Sequence, residues 1–200
     1  EGKVNGMARN KYSNNQKASL FLIIAAVVVL FWQSDKILNP SFFQKAVSSV
    51  ENADFKMTVL ELDSADSILI SCKDSHILVD GGEDSDSATV VNFLTAQGVK
   101  KLDLVIATHP HADHIGGLDV VIQNFPVERV LTPKIPEDKV PTTREYTQFL
   151  TVLSRYDIPV TAAKPMTKLK VGELSVTVLA PIGEDYSELN NFSAVVRLDY

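Results

Sequence analysis

The chain has 200 residues, of which 45% are hydrophobic and 22% are charged. These proportions suit one globular domain with a sizeable core and exclude a largely disordered chain. The net charge of −6 is uneven, because residues 1–36 carry five Lys or Arg against two acids, which leaves −9 on the remainder. An acidic domain argues against broad electrostatic binding of nucleic acid, although bound divalent metals would reverse that sign locally. The single cysteine excludes both an intrachain disulfide and a cysteine cluster for zinc.

The N-terminal segment has the pattern of an export signal or a membrane anchor. Residues 20–32 read LFLIIAAVVVLFW without a charge and follow Arg9, Lys11 and Lys17. This run is longer than most signal-peptide cores and shorter than the roughly 20 residues of a comfortable membrane span. No small-x-small cleavage site follows it. We therefore expect an uncleaved signal anchor over residues 18–33, with a cleaved signal and a secreted protein as the alternative.

The anchor divides the chain into four predicted parts. Basic residues before an apolar run favour a cytoplasmic N-terminus, so residues 1–17 are expected on the cytoplasmic side. Residues 34–54 would be the linker that leaves the membrane. Residues 55–200 would then form a folded, extracytoplasmic domain at the cell membrane.

The folded part is predicted to be a layered α/β or α+β domain, because strands come first and helices then alternate with strands. Ser87 is the predicted cap of the first helix and Gly98 its end, and Thr142 or Thr143 caps a later helix whose buried face includes Leu150. The strands are expected at residues 56–60, 67–72, 76–79, 102–107, 129–131, 160–162, 174–179 and 194–198, and the helices at residues 87–97 and 118–122 and after residue 143.

The segment that carries the chemistry follows the predicted strand over residues 102–107. Three of the four histidines lie within residues 108–114, which read THPHADH. Neutral imidazole and carboxylate are ligands that zinc, iron and manganese accept, and a loop at a strand end can turn alternate side chains toward one point. The pattern indicates an open metal site, and a solvated histidine-rich turn is the competing interpretation. His76, the remaining histidine, is expected at the surface.

An apolar strand followed by HxHxDH and Gly-Gly resembles the signature of the metallo-β-lactamase superfamily. The resemblance implies an αββα sandwich, of which residues 55–200 would be the N-terminal part. It implies that His109 and His111 bind one divalent metal ion and that Asp113 and His114 bind a second, with Asp113 also acting in proton transfer. Zinc is the expected metal, and manganese is the alternative.

The same resemblance assigns a supporting role to two residues beside the cluster. Asp80, in the strand-turn segment LVDGG, would hold the ligand loop by hydrogen bonds, and Thr108 would assist it. A simple turn residue before glycine is the alternative interpretation of Asp80.

Finer features resemble the ComEC-like competence branch of the superfamily. Residues 101–118, KLDLVIATHPHADHIGGL, match that branch nearly throughout. Residues 60–67, LELDSADS, match its opening motif at Asp66 and Ser67, but other residues replace the family glycines, which leaves the function of that loop open.

The end of the chain also resembles this branch. Residues 190–193, NNFS, look like its Asn-Asn-x-Ser strand, where other superfamily members place a metal-binding histidine. Asn191 and Ser193 are therefore candidates for the substrate side of the site, and a turn followed by strand entry is the alternative. The family places a bridging aspartate and a further histidine later, so the resemblance predicts a C-terminally truncated domain that lacks part of its site.

Three functions fit these features. The first is a metal-dependent hydrolase in which an activated water attacks a phosphodiester, with nucleic acid as the expected substrate. The second keeps the chemistry but acts on a lactone, a thioester or a β-lactam. The third is a membrane-anchored, non-catalytic binding module. The membrane would be contacted through residues 18–33, and no protein partner can be inferred.

Overall fold

The computed structural model describes residues 53–200, and Asp54–Tyr200 form one compact unit. The anchor predicted over residues 18–33 and the cytoplasmic segment over residues 1–17 lie outside the described residues, as does most of the linker. Within the described part of the chain, no helix has the length and apolar character needed to cross a membrane.

Six strands form the larger sheet, in the order β1-β2-β3-β4-β5-β6. The first three are antiparallel neighbours, as predicted, and the last four run parallel to one another. All three residues of β4 are buried without alternation, which is typical of a parallel strand that is covered on both faces. The strands are β1 (Phe55–Val59), β2 (Ile68–Cys72), β3 (Ser75–Val79), β4 (Leu104–Ile106), β5 (Val130–Thr132) and β6 (Val160–Ala162).

Four α-helices connect the parallel strands and cover one face of this sheet. They are α1 (Ser87–Ala96), α2 (Ala112–Ile115), α3 (Leu118–Asn124) and α4 (Arg144–Arg155). Their apolar faces share one core cluster with the sheet, in which Leu94, Val121 and Phe149 pack with Leu78 and Val105. Burial of this apolar surface fixes the helices against the strands.

A second, antiparallel sheet covers the other face. It contains β7 (Lys168–Val171), β8 (Leu174–Ala180) and β9 (Val195–Asp199) in the order β7-β8-β9. A second core cluster joins the sheets, with Ile77 and Ile106 from the larger one against Val176 and Val178 from the smaller one. Residues 53–200 therefore form one layer of helices and two stacked sheets. These are three of the four layers expected of an αββα sandwich.

Local details differ from the sequence-based expectations at four places, and the first is α2, a short helix that carries Asp113 and His114 where a loop was predicted. Ser87 is the first residue of α1 and not its cap, because a 3-10 turn at Asp84–Asp86 precedes it and the Ser87 hydroxyl donates to the carbonyl of Asp84. Leu150 is 45% exposed, since α4 turns Phe149, Val152 and Leu153 toward the core instead. Strand β7 was not predicted, because its sequence KLKV is short and half of it is lysine. Of the two threonines considered, Thr143 caps α4 by accepting from the amide of Tyr146.

Candidate metal centre

The histidine cluster lies at the carboxyl ends of the parallel strands. Asp80 follows β3 directly, His109 comes shortly after β4, and His111 is the residue before α2. The carboxyl ends of neighbouring parallel strands meet at one edge of a sheet, where open α/β folds place their ligands. The fold therefore brings Asp80 next to the histidine cluster, although Asp80 precedes His109 by 29 residues in the sequence.

Close backbone contacts hold the turn after β3 against α2. The amide of Gly81 donates to the carbonyl of His114 at 2.7 Å, and the amide of Gly117 donates to the carbonyl of Gly82 at 3.1 Å. A Cβ atom on Gly117 would collide with the carbonyl oxygen of Gly81. Glycine at these positions lets two backbone segments approach closely enough to fix the position of the ligand loop.

Asp80 is the buried hydrogen-bond acceptor beneath the cluster. It is 2% exposed and has a φ of 56°, in the left-handed region that aspartate adopts more readily than most residues. One carboxylate oxygen accepts from the Thr108 amide at 2.8 Å, and the other accepts from the Thr108 hydroxyl at 2.6 Å and from Nδ1 of His114 at 2.8 Å. Asp80 is thus joined to Thr108 by two hydrogen bonds and to His114 by a third.

These bonds determine which imidazole nitrogens carry protons. A carboxylate only accepts, so Nδ1 of His114 is protonated, and Nε2 is the nitrogen that can bind a metal when the ring is neutral. The Thr108 hydroxyl donates to Asp80 and so accepts from Nδ1 of His109, 3.1 Å away. The lone pair of His109 is therefore on Nε2 as well, which is the nitrogen available to a metal.

The side-chain atoms that can bind a metal ion lie in two close pairs. Nε2 of His109 is 3.1 Å from Nδ1 of His111, and Nε2 of His114 is 3.4 Å from Oδ2 of Asp113. Two ligands of one tetrahedral zinc stand roughly 3.3 Å apart, because each metal–ligand bond is about 2.0–2.2 Å. Each pair therefore has the separation of two ligands that share a metal ion.

The metal-ligating side chains come together in pairs and not in larger groups. Among residues 53–200, no three or more His, Cys, Asp or Glu side chains come together as a complete metal site. The chemistry of the four donors nevertheless fits zinc or manganese, since imidazole nitrogen and carboxylate oxygen suit both ions. His109 and His111 would hold one ion, and Asp113 and His114 would hold the other.

Burial and neighbouring charges shift the pKa values of His109 and His114 in opposite directions. Burial, followed by the positive charges of His114 and His111, lowers the pKa of His109 to about 4. Burial also lowers the pKa of His114, but the hydrogen bond to Asp80 and the nearby carboxylates outweigh it, so the net shift is upward. His109 is thus neutral at physiological pH and ready to act as a ligand.

Two residues near the cluster were not assigned to it from the sequence. Oδ2 of Asp66 lies 3.9 Å from Nε2 of His114, and the side chain of Asn190 lies close enough to His109 to raise its pKa. Of the two substrate-side candidates, Asn191 is exposed and the Ser193 hydroxyl donates to the carbonyl of Asn190. The paired asparagines in NNFS were the available signal, but the sequence alone does not show which of them faces the histidines.

Comparison with known proteins identifies the family. The family model described as the metallo-beta-lactamase superfamily matches residues 60–173, which contain all four donors. The chain therefore belongs to the metallo-β-lactamase superfamily, whose members are generally hydrolases and bind divalent metals, usually zinc.

Particular relatives refine this assignment. The chain is 30% identical to ComE operon protein 3 of Bacillus subtilis (strain 168) over 116 residues, covering 55% of this chain and 14% of that protein, which supports the ComEC-like branch. It is 36% identical to hydroxyacylglutathione hydrolase of Stenotrophomonas maltophilia (strain R551-3) over 78 residues, covering 39% of this chain and 28% of that protein. The chain thus spans less than a third of the length of either relative.

A solved structure supports the fold. The chain resembles the metallo-beta-lactamase SMB-1 bound to 2-mercaptoethanesulfonate with a TM-score of 0.50 and 22% identity, covering 69% of this chain and 53% of that one. This likeness concerns the fold alone. Together with the family match it confirms the mixed α/β metallo-β-lactamase-like architecture that the sequence predicted.

Proposed function

We propose that this protein is a metal-dependent phosphodiester hydrolase whose substrate is nucleic acid. The observation that carries the proposal is the pair of facing donor sets, His109 with His111 and Asp113 with His114, at the carboxyl edge of the parallel strands. A two-metal arrangement suits the displacement at a phosphodiester, because both the attacking and the leaving oxygen need charge stabilisation.

The chain's own residues would bind, orient and move protons. When bound, two divalent metal ions would supply Lewis acidity to the phosphodiester and to the attacking water. Asp80 keeps the proton of His114 on Nδ1, which leaves Nε2 as the ligand atom. Asp113 is 43% exposed and faces His114 with Oδ2, so its Oδ1 is available to accept a proton from the water.

Positive charge at the same edge favours an anionic substrate. Exposed Lys134 lies two residues beyond β5, and exposed Lys164 lies two residues beyond β6. Because β4, β5 and β6 are parallel, these lysines and His109 follow strand ends at one edge of the sheet. Such charges concentrate anions locally even though the domain is acidic overall.

Similarity to ComE operon protein 3 supports the same substrate class. That match extends over 55% of the chain, whereas the match to hydroxyacylglutathione hydrolase extends over 39%. Residues 101–118, which resemble the ComEC-like branch, include the whole histidine cluster.

The test is a substrate panel assayed with zinc and with manganese. The full chain is incubated with bis(p-nitrophenyl) phosphate, single-stranded DNA, a chromogenic β-lactam and a glutathione thioester. We expect metal-dependent cleavage of the two phosphodiesters, and chelation should abolish it. Cleavage of the β-lactam or the thioester without cleavage of either phosphodiester would contradict the proposal.

A charge variant sharpens that panel. Lys134→Ala should raise KM for the phosphodiesters about fivefold through the loss of one favourable charge near the substrate. The matched control is Lys168→Ala, since Lys168 is an exposed lysine on β7 in the other sheet. Equal KM values for the two variants would argue against an anion-binding edge beside the cluster.

A thioester substrate is the second candidate. The observation in its favour is the similarity to hydroxyacylglutathione hydrolases, at 36% identity over 78 residues and 37% over 75 residues. In this case the metals would polarise a carbonyl oxygen rather than a phosphoryl oxygen. The glutathione thioester in the panel separates the two candidates directly.

We also propose that residues 18–33 hold the protein at the cell membrane with its C-terminal domain outside the cytoplasm. The uncharged run over residues 20–32 and the basic residues before it support this arrangement. The full chain should remain in the membrane fraction after alkaline carbonate extraction, and protease added outside the cell should digest the domain. Recovery in the soluble, cytoplasmic fraction would contradict the proposal.

A further inference from the structure

Asp66 lies in the loop between β1 and β2, far from the histidine cluster in sequence. In the structure Oδ2 of Asp66 is 3.9 Å from Nε2 of His114, while Oδ2 of Asp113 is 3.4 Å from the same nitrogen. Two carboxylates therefore face one imidazole nitrogen. That nitrogen is the metal-facing one, since Nδ1 of His114 is bound to Asp80.

The backbone of Asp66 is fixed to the site at several points. Its amide donates to the carbonyl of Asp113 at 3.2 Å, and its carbonyl accepts from the amide of Gly82 at 3.0 Å. The next residue, Ser67, is fully buried and its hydroxyl donates to the carbonyl of Asp80 at 3.0 Å. The loop thus holds Asp66 against both segments that supply the His114 side of the cluster.

The side chain of Asp66 is directed outward and is 67% exposed. An ion pair with His114 alone does not explain this placement, because the buried carboxylate of Asp80 already balances that imidazole at a shorter distance of 2.8 Å. An exposed carboxylate on a fixed backbone can reach a neighbouring ion by rotating its side chain. Oxygen ligands of this kind suit both zinc and manganese.

We propose that Asp66 is a third protein ligand on the Asp113 and His114 side of the metal centre. This inference rests on the metal centre assigned above but not on the identity of the substrate. It gives the loop over residues 60–67 a function in metal binding and adds one negative charge to one of the two metal positions. A third ligand would raise the affinity of that position for a divalent ion.

The test is metal titration of the full chain carrying Asp66→Asn. Asparagine has the same shape and retains both backbone hydrogen bonds, so the fold is expected to persist. The matched control is Asp63→Asn, because Asp63 is an exposed acid in the same loop. Co²⁺ serves as the probe, since its visible d–d absorption reports the number and type of its ligands, and calorimetry gives the affinity and stoichiometry.

We expect Asp66→Asn to lower the affinity for one of the two bound Co²⁺ ions roughly 10- to 100-fold. The d–d spectrum of that ion should change, and the spectrum of the other ion should not. Asp63→Asn should behave as the wild type. Equal affinities and spectra for Asp66→Asn and Asp63→Asn would overturn the proposal, as would a wild-type chain that binds a single ion. A wild type that binds two ions but cleaves no phosphodiester would contradict the proposed substrate and leave the assignment of Asp66 supported.

Discussion

The two sides of the histidine cluster are held in place in different ways. On one side, Nδ1 of His114 donates to Asp80, a carboxylate that is 2% exposed and fixed by two further bonds from Thr108. On the other side, His109 and His111 contact each other at 3.1 Å. His109 is bonded to the neutral hydroxyl of Thr108, at 3.1 Å from Nδ1 of His109, and not to a buried carboxylate.

This difference indicates which side keeps its geometry without a metal ion. Asp80 and the glycine turn fix His114 through buried hydrogen bonds, whose loss is expensive in a low-dielectric interior. His111 is only partly buried, whereas His109 is 5% exposed, and the ring of His111 contacts His109. We therefore expect the His114 side to be preorganised and the His111 side to be completed by metal binding.

The largest effect is expected on the less supported side. His111→Ala removes one of two donors from the first metal position, and the metal-dependent rate should fall by a factor on the order of 1,000, which corresponds to about 4 kcal/mol of lost transition-state stabilisation. The assay is hydrolysis of bis(p-nitrophenyl) phosphate by the full chain. His76→Ala is the control, since His76 bonds to Ser71 on the neighbouring strand and should be dispensable. Retained turnover in His111→Ala would contradict the metal assignment.

The second effect tests the backbone support of the His114 side. Gly117→Ala places a Cβ against the carbonyl of Gly81 and should lower the free energy of unfolding by about 3 kcal/mol, the upper range for overpacking. Gly98→Ala is the control, because a Cβ atom on Gly98 would meet no neighbouring atom. Its positive φ of 74° is the one source of strain, and alanine in that conformation should lose about 1 kcal/mol of stability. Urea unfolding followed by circular dichroism measures both. Similar losses in the two variants would show that the close approach at Gly117 does not matter.

A third prediction addresses the proton on His114. Asp80→Asn offers an amide donor to Nδ1, so the proton of His114 would move to Nε2 and block the ligand atom. Affinity for the ion on the Asp113 and His114 side should fall roughly 10- to 100-fold, and the ion on the His109 and His111 side should be affected much less. Calorimetric titration with Zn²⁺ measures both. An equal loss of affinity at the two metal positions would contradict the division of the cluster into two sides.

The smallest effect concerns pH and the metal-free chain. Burial and the neighbouring histidines lower the pKa of His109 to about 4 in the folded chain, whereas an unfolded histidine titrates near pH 6.5. Because the unfolded chain then takes up the proton first, His109 makes the folded chain less stable as the pH falls from about 6.5 to about 4. His109→Gln should flatten the stability curve in this window, measured by urea unfolding in chelator. An unchanged slope would show that another group controls it.

The sequence predicted most of the fold because its signals were local. Short β-prone runs separated by turns located β1, β2 and β3 and their antiparallel order, and the run over residues 102–107 identified the strand before the histidines. The exceptions are also physical. Ser87 resembled a helix cap, but the acidic turn before it provides an alternative start, and β7 lacks the apolar alternation that marks a strand.

The candidate site was predictable only where its residues adjoin one another. Spacing in THPHADH placed the four metal ligands in one short segment, and the family resemblance added Asp80 and Thr108. Asp66 and Asn190 reach the cluster through loops whose path depends on sheet packing, so no local pattern shows that they face histidines. Nor does the sequence show which nitrogen of His109 and of His114 is available to a metal, because Asp80 and the Thr108 hydroxyl determine the proton positions on these two rings.

The central claim is that the four donors form two metal positions, one for each facing pair. The most direct measurement is anomalous diffraction at the zinc edge from crystals of the full chain grown with Zn²⁺. We predict two peaks, one bonded to Nε2 of His109 and Nδ1 of His111 and the other to Nε2 of His114 and Oδ2 of Asp113, at about 2.0–2.2 Å. A cluster without an anomalous peak, or one ion bound through Nδ1 of His114, would contradict the account.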